Sequence, residues 1–222
     1  MTPLNEVLNN ITYSLATGRF AGLAFHGIGN DPRCPLLVPE ETAHACVETA
    51  SEAIQMPYIG FDDAYECAKI FIRKLAGNRD VRPIVFVPTL FIDKKAEWVK
   101  FSTCNLSVMS METLRALSDL GAEIGWHGHS HRRFTDLTVE ELNAEMEGRA
   151  DTLAGISLNT TSCSFPYGAF NRKIVDRLSL HFTRFYQTCI LQNSISYTNV
   201  LCLLDVGTIL HFRCGQIKMV EL

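Results

Sequence analysis

Short apolar runs recur along this chain, and five of them are followed at once by a histidine, an aspartate or a Pro-Tyr pair. Gly22 to Phe25 runs into His26, Pro57 to Phe61 into Asp62-Asp63, and Glu123 to Trp126 into His127. Thr161 to Phe165 runs into Pro166-Tyr167, and Val206 to Leu210 into His211. Stretches with helical periodicity lie between these runs. The alternation predicts an α/β architecture. Polar groups at the same end of successive strands are what a parallel α/β barrel gathers on one rim. Polar residues scattered through a core would not keep that placement.

The periodicity predicts helices over Leu4 to Ala16, Glu40 to Ile54 and Ala64 to Leu75, the last with Ala68, Ile72 and Leu75 turned inward. It predicts further helices from Ser110 to Leu120, Thr138 to about Leu153 and Asn171 to Leu178. Ser110 is placed to cap its helix and Gly121 to stop it, while Thr138 and Glu141 form a capping box. Ile84 to Phe91 and Phe182 to Thr188 are further strand candidates, and Gln216 to Val220 a weaker one. Gly27 to Pro39, rich in Gly and Pro, reads as a loop. With 222 residues, 47% of them hydrophobic, the chain can bury one sizeable core, and residues 1–222 are expected to form one domain.

The formal net charge is -4 and no basic run occurs, which argues against a nucleic-acid partner. None of the 8 cysteines forms a C-x-x-C pair, so a zinc ribbon has no support. The opening residues Met1 to Glu6 lack the basic and apolar regions of a secretory signal, and no apolar stretch is long enough to span a bilayer. The expectation is a cytoplasmic protein whose cysteines are free thiols.

The chemistry concentrates in Trp126-His127-Gly128-His129-Ser130-His131 and in Asp62-Asp63. Catalytic zinc takes imidazole and carboxylate ligands, typically three from the protein, with one position left open. One aspartate with His127 and His131 completes that set, and the second aspartate is then free to handle a proton. Adjacent carboxylates also disfavour each other's ionisation unless a cation intervenes. Plainer readings exist for each piece. Asp63 could cap a helix starting at Ala64, and Ser164 to Gly168 could be a turn closing a strand. His129 alternates with the other two histidines and is expected behind the ligands or exposed.

Taken together these segments resemble a known family. Phe61-Asp62-Asp63-Ala64-Tyr65 resembles the first motif of the NodB-homology polysaccharide deacetylases, carbohydrate esterase family 4. Glu123 through His131, followed by Leu137 to Leu142, resembles the second motif and its following helix, and Phe165-Pro166-Tyr167-Gly168 the third. Val85 to Ile92 resembles the strand that the family places between the first two motifs. The resemblance spans roughly Gly22 to Thr188. It implies a distorted (β/α) barrel, a divalent metal (commonly zinc) and hydrolysis of N-acetyl groups on a sugar or glycan precursor. By position it makes Asp63, His127 and His131 the metal ligands and Asp62 the general base that activates water. The backbone N–H of Tyr167 would stabilise the oxyanion. His and Asp donors also suit iron, cobalt, nickel and manganese.

The chain departs from the family pattern in four places. Ala64 stands where the family has Gly, and Ser164 where many members carry an Arg that pairs with the base. The late Trp motif is missing, since Trp98 and Trp126 are the only tryptophans. The Leu-His motif that supplies the general acid has only Leu210-His211 as a match, with Phe212 following; His26 and His129 are rivals for that role. These departures keep a second reading open, a catalytically inactive carbohydrate-binding protein on the same fold. A metal hydrolase of another C–N bond is a third.

Overall fold

The structure is a computed structural model, which describes residues 3–16, 18, 20–153, 160–190 and 201–205. In chain order the elements are α1 (Pro3–Ala16), β1 (Gly22–Phe25), β2 (Gly27–Ile28), β3 (Leu37–Val38), α2 (Glu40–Ala53), β4 (Tyr58–Phe61), α3 (Lys69–Ala76) and β5 (Arg82–Val87). Then follow α4 (Met111–Asp119), β6 (Glu123–Trp126), α5 (Val139–Leu153), β7 (Ser162–Ser164), α6 (Arg172–Leu178), β8 (Arg184–Ile190) and β9 (Leu201–Asp205). Strands β1, β4, β5, β6, β7, β8 and β9 form a closed barrel in that order. The pairs from β1 to β8 are parallel, whereas β9 runs antiparallel to both β8 and β1. This is the distorted (β/α) barrel expected from the sequence.

Burial follows the strand sequences. β1 is buried at all four positions and β5 at all but its first, as expected of parallel strands covered on both faces. Two large apolar clusters pack on the barrel strands, beside a smaller one of Ala24, Ile84, Phe86 and Tyr186. One gathers α1, α2 and α3 against β1 and β4 through residues such as Ile11, Leu23, Phe25, Phe61 and Ile72. The other lies under the ends of β6 and β7, where Trp126 stacks on Phe182 at 5.2 Å and packs with Phe134 and Phe165.

Several helix signals operate as read. Ser110 Oγ accepts the Thr113 N–H at 3.1 Å. Asn171, not expected as a cap, also acts as one, its Oδ1 accepting the Ile174 N–H at 3.0 Å. Thr138 and Glu141 exchange reciprocal bonds of 3.2 and 2.8 Å, a complete capping box.

Other expectations are corrected. The helix expected from Ala64 begins at Lys69, because Asp63 (φ 68°) and Ala64 (φ 51°) are left-handed and take the chain through two short 3₁₀ turns first. The strand expected to reach Phe91 stops at Val87. Pro88 has no N–H to continue a ladder, and the Thr89 N–H turns instead to the Gly128 carbonyl at 3.1 Å. The Gly27 to Pro39 loop contains the small parallel pair β2–β3. β9 had no sequence signal, while Val206 to Leu210, His211 and Gln216 to Val220 lie outside the described residues.

The cysteine expectation also changes. Cys34 and Cys104 form a disulfide, whereas Cys46, Cys67 and Cys163 are free. The spacing of 70 residues carried no hint of this pairing. No described helix is long and apolar enough to cross a membrane.

Each side-chain cap satisfies a helix N–H that has no other partner. Ser110→Ala and Asn171→Ala are therefore each expected to lower stability by about 1 kcal/mol. Equilibrium denaturant unfolding of the two variants checks this.

Candidate metal centre

The site lies on the rim at the C-terminal ends of β4, β6 and β7. After β4 the chain turns sharply, with Asp62 and Asp63 both buried. Asp63 makes no helix-capping bond; the left-handed turn aims its side chain at the segment after β6. There Asp63 Oδ1 lies 2.9 Å from His131 Nε2 and 3.5 Å from His127 Nε2. Ligand atoms of these three residues all lie within 4.8 Å of one another. His127 and His131 are themselves buried, at 2% and 5% exposure.

The tautomers decide whether this cluster suits a cation. His127 Nδ1 lies 3.1 Å from the Ser164 carbonyl, which can only accept, so Nδ1 carries the proton. Its Nε2 lone pair then faces a carboxylate oxygen, two acceptors with no hydrogen between them. A divalent ion resolves that opposition, and one carboxylate with two imidazoles is a donor set such ions favour. Burial pushes the His127 pKa down, which keeps the ring neutral and able to ligate. For Asp63 burial acts to raise the pKa. The facing His131, by charge and hydrogen bond, outweighs it with help from His26 and His127 and holds the carboxyl ionised, well below the usual range.

The histidine loop is held from below by a residue the sequence reading missed. Glu145, buried on α5, accepts the backbone N–H of His129 at 2.6 Å and of Ser130 at 3.0 Å, and the Ser130 hydroxyl as well. Its signal was available: Glu145 stands three positions after Leu142, on the inward face of its helix, where an acid needs a reason. Gly128 opens the loop at φ 77°, and a Cβ there would press Phe134 and Pro166 at 3.3 Å. His129 turns away from the cluster. Its Nδ1 pairs with Thr89 Oγ1 at 2.9 Å, and its ring lies so close to Gly148 that a Cβ there would sit 2.6 Å from it.

Three further groups surround the cluster. Asp62 sits beside Asp63, and its Oδ1 has no hydrogen-bond partner. Ser164, buried on β7, also has a hydroxyl without a partner. Tyr167 is left-handed (φ 59°) in a one-turn 3₁₀ helix, Pro166–Gly168, and its ring stands 4.9 Å from that of His131. The first N–H groups of so short a helix have no partner inside it. Trp98, from the segment between β5 and α4, stacks on His131 at 4.2 Å and donates its Nε1–H to Asp63 Oδ2 at 3.3 Å. It was missed because it belongs to no periodic element. His26 follows β1 on the same rim, and because Phe25 pairs with Phe61 it stands at the level where Asp62 follows β4.

Two expectations follow from these contacts. Glu145→Ala strands backbone donors under the histidine loop and should destabilise the protein by roughly 3 kcal/mol, read by urea unfolding. The metal-free protein should also lose stability as pH falls. An unfolded histidine takes up a proton near pH 6.5 (about the usual imidazole value), while buried His127 resists it. Between that pH and the lower folded value the unfolded state binds more protons, so stability drops on acidification. Asp63 adds a second loss, in the same direction, further down. Melting temperatures measured across pH should show the upper step in the wild type and a smaller one in His127→Asn, where His129, whose pKa burial also lowers, still contributes.

Comparison with known proteins places the chain. The family model for polysaccharide deacetylases matches residues 51–184, more than half of the sequence. Among solved structures, IcaB from Ammonifex degensii aligns with a TM-score of 0.58 at 14% identity, covering 74% of this chain and 81% of that one. BC0361, a polysaccharide deacetylase from Bacillus cereus, aligns at 0.57 and 14% identity over 76% of this chain and 57% of its own. A de-N-acetylase from Aggregatibacter actinomycetemcomitans aligns at 0.53 and 13% identity, covering 75% and 87%. At such identities the structural likeness is one of fold. No curated protein sequence matched. The match of sequence and the shared barrel together make this chain a member of the polysaccharide deacetylase family.

Proposed function

We propose that the chain is a metal-dependent N-deacetylase that hydrolyses the acetamido group of an N-acetylated sugar in a glycan or glycan precursor. The observation that carries this reading is the buried cluster of Asp63, His127 and His131 with the unpartnered carboxylate of Asp62 beside it. Asp63, His127 and His131 would hold a divalent ion, zinc by donor type, and that ion supplies Lewis acidity toward the acyl oxygen.

The remaining chemistry falls to the chain's own groups. Amide hydrolysis adds water to the acyl carbon, breaks the C–N bond and needs a proton delivered to the departing nitrogen. Asp62 takes the proton from the attacking water; its free Oδ1 leaves a lone pair available for that. The Tyr167 N–H holds the acyl oxygen as negative charge develops there. His26, which follows β1 on the rim, and His211, outside the described residues, are the candidates for the proton donor to the amine, whereas the His129 ring is committed to Thr89 and packed against α5. The products are acetate and a free amino sugar.

One observation favours the alternative of an inactive carbohydrate-binding protein. Ser164 leaves no cation on β7 to orient Asp62, and its hydroxyl is itself unpartnered. The Cys34–Cys104 disulfide bears on the compartment: such bonds persist in oxidising surroundings, which favours these over the cytoplasm expected from the sequence. A surface polysaccharide is the substrate class consistent with both the family and that setting.

Acetate release from N-acetylglucosamine oligomers, abolished by a chelator and restored by zinc, is the expected result. Asp62→Asn should lower the rate by roughly 10²–10⁴-fold while zinc binding, followed by calorimetry, is retained. A wild type that binds zinc and these oligomers but releases no acetate supports the binding-protein reading instead.

A further inference from the structure

The segment between Phe91 and Met111 contains no helix or strand of its own, yet it is closely tied to the Asp63 turn. The Met109 N–H donates to the Ala64 carbonyl and the Glu66 N–H to the Ser107 carbonyl, each at 2.9 Å. Tyr65 bridges Val108, and Lys95 bridges Ser107 across the segment's own two arms. The Ala96 N–H to Leu106 carbonyl bond, at 3.0 Å, closes the excursion further out. The Cys34–Cys104 disulfide then fastens its tip to the loop that precedes β3.

What this anchored excursion delivers is Trp98. The indole is half-buried, backed edge-on by Phe91 at 4.8 Å and flanked by Tyr65 at 6.4 Å. It reaches two of the three cluster residues. Its Nε1–H takes Asp63 Oδ2, which leaves Oδ1 alone facing the imidazoles. Its ring lies on His131 with 26° between the planes.

The two histidines differ in how they are held. A metal-binding histidine almost always donates its second ring N–H to a carbonyl or carboxylate, which fixes the ring. His127 does so to Ser164. His131 does not: its Nδ1 is buried without a partner. The indole stack is the contact that stands in that place.

We propose that Trp98 is a positioning residue of the metal centre: its N–H confines Asp63 to one free oxygen, and its ring fixes the orientation of His131. This rests on the reading of Asp63, His127 and His131 as the metal ligands. Neither role requires Trp98 to touch a reacting atom.

The test uses the oxidised 222-residue chain, stripped of metal and titrated separately with zinc and with cobalt. Trp98→Phe keeps a ring over His131 and loses the N–H; Trp98→Leu loses both. Calorimetry should show weaker zinc binding, about 10-fold for Trp98→Phe and toward 100-fold for Trp98→Leu. The visible absorption of the cobalt protein should lose intensity in Trp98→Phe, because a carboxylate released to bind through both oxygens raises the coordination number. A merely structural tryptophan would not move that band. Zinc affinity and cobalt spectrum of Trp98→Phe both matching the wild type would overturn the proposal. Far-ultraviolet circular dichroism and melting of the metal-free variants establish folding, and if Trp98→Leu does not fold the Trp98→Phe comparison decides alone. A folded wild type that binds neither ion would instead defeat the metal reading beneath the proposal.

Discussion

A carboxylate taken out of water must find donors or cations to replace its hydration, or it will protonate. Asp63 is that carboxylate here, and much of the rim is arranged around it. One oxygen faces the imidazoles of His131 and His127, and the other takes the indole N–H of Trp98. These partners arrive from three separate stretches of chain. The turn after β4 presents the acid, the loop after β6 the histidines and the excursion before α4 the indole. Because burial and partners oppose each other at Asp63, losing any one of them shifts the balance for the rest.

Holding this arrangement requires unusual backbone. Among the described residues, six non-glycine ones have positive φ, and four of them are Asp63, Ala64, His131 and Tyr167. The left-handed conformation costs about 1–2 kcal/mol for an L-residue. Such strain persists only where the surroundings over-determine it. Glu145 grips the histidine loop, Met109 bonds the Ala64 carbonyl, and the aromatic cluster of Trp126, Phe134, Phe165 and Phe182 supports the rim from inside. Ala64 shows the tension directly. Glycine would relax its φ of 51°, but the alanine methyl is fully buried in the core, and glycine would also free the unfolded chain. Those opposing contributions are of similar size, which makes the alanine tolerable where the family carries glycine.

Much of the fold was legible because its signals are local. Glu123–Trp126 and Gly22–Phe25 are strands with the bounds read from their apolar runs, and the caps at Ser110 and Thr138 act through contacts three residues away. The Asp63, His127 and His131 grouping was legible because motif spacing and strand order put all three on one rim. Trp98, Glu145 and the Cys34–Cys104 bond were not, for different reasons. Trp98 lies in a segment with no period, so nothing marks the direction of its side chain. Glu145 left a trace, an acid among inward positions, but its partners are backbone amides that no sequence pattern displays. A disulfide spanning 70 residues depends on two loops meeting, and loop encounters follow from the completed barrel. The Ala64 helix start failed because helical propensity cannot register a left-handed turn imposed by tertiary contacts.

The strands that carry the acid and the first histidine, β4 and β6, are not neighbours; β5 lies between them and pairs with both. Phe61 stands opposite Val85, and Trp126 opposite Val87. The separation of Asp63 from His127 is therefore measured out along β5, in units of the strand repeat. A slip of one residue on either side would move the end of a strand by about 3.3 Å and turn its side chains to the opposite face. β5 thus acts as a ruler, and its apolar side chains, which touch no reacting atom, hold the calibration of the site. Accuracy of strand register, ordinarily a question of folding, becomes here the tolerance to which a buried cluster of one carboxylate and two imidazoles is assembled.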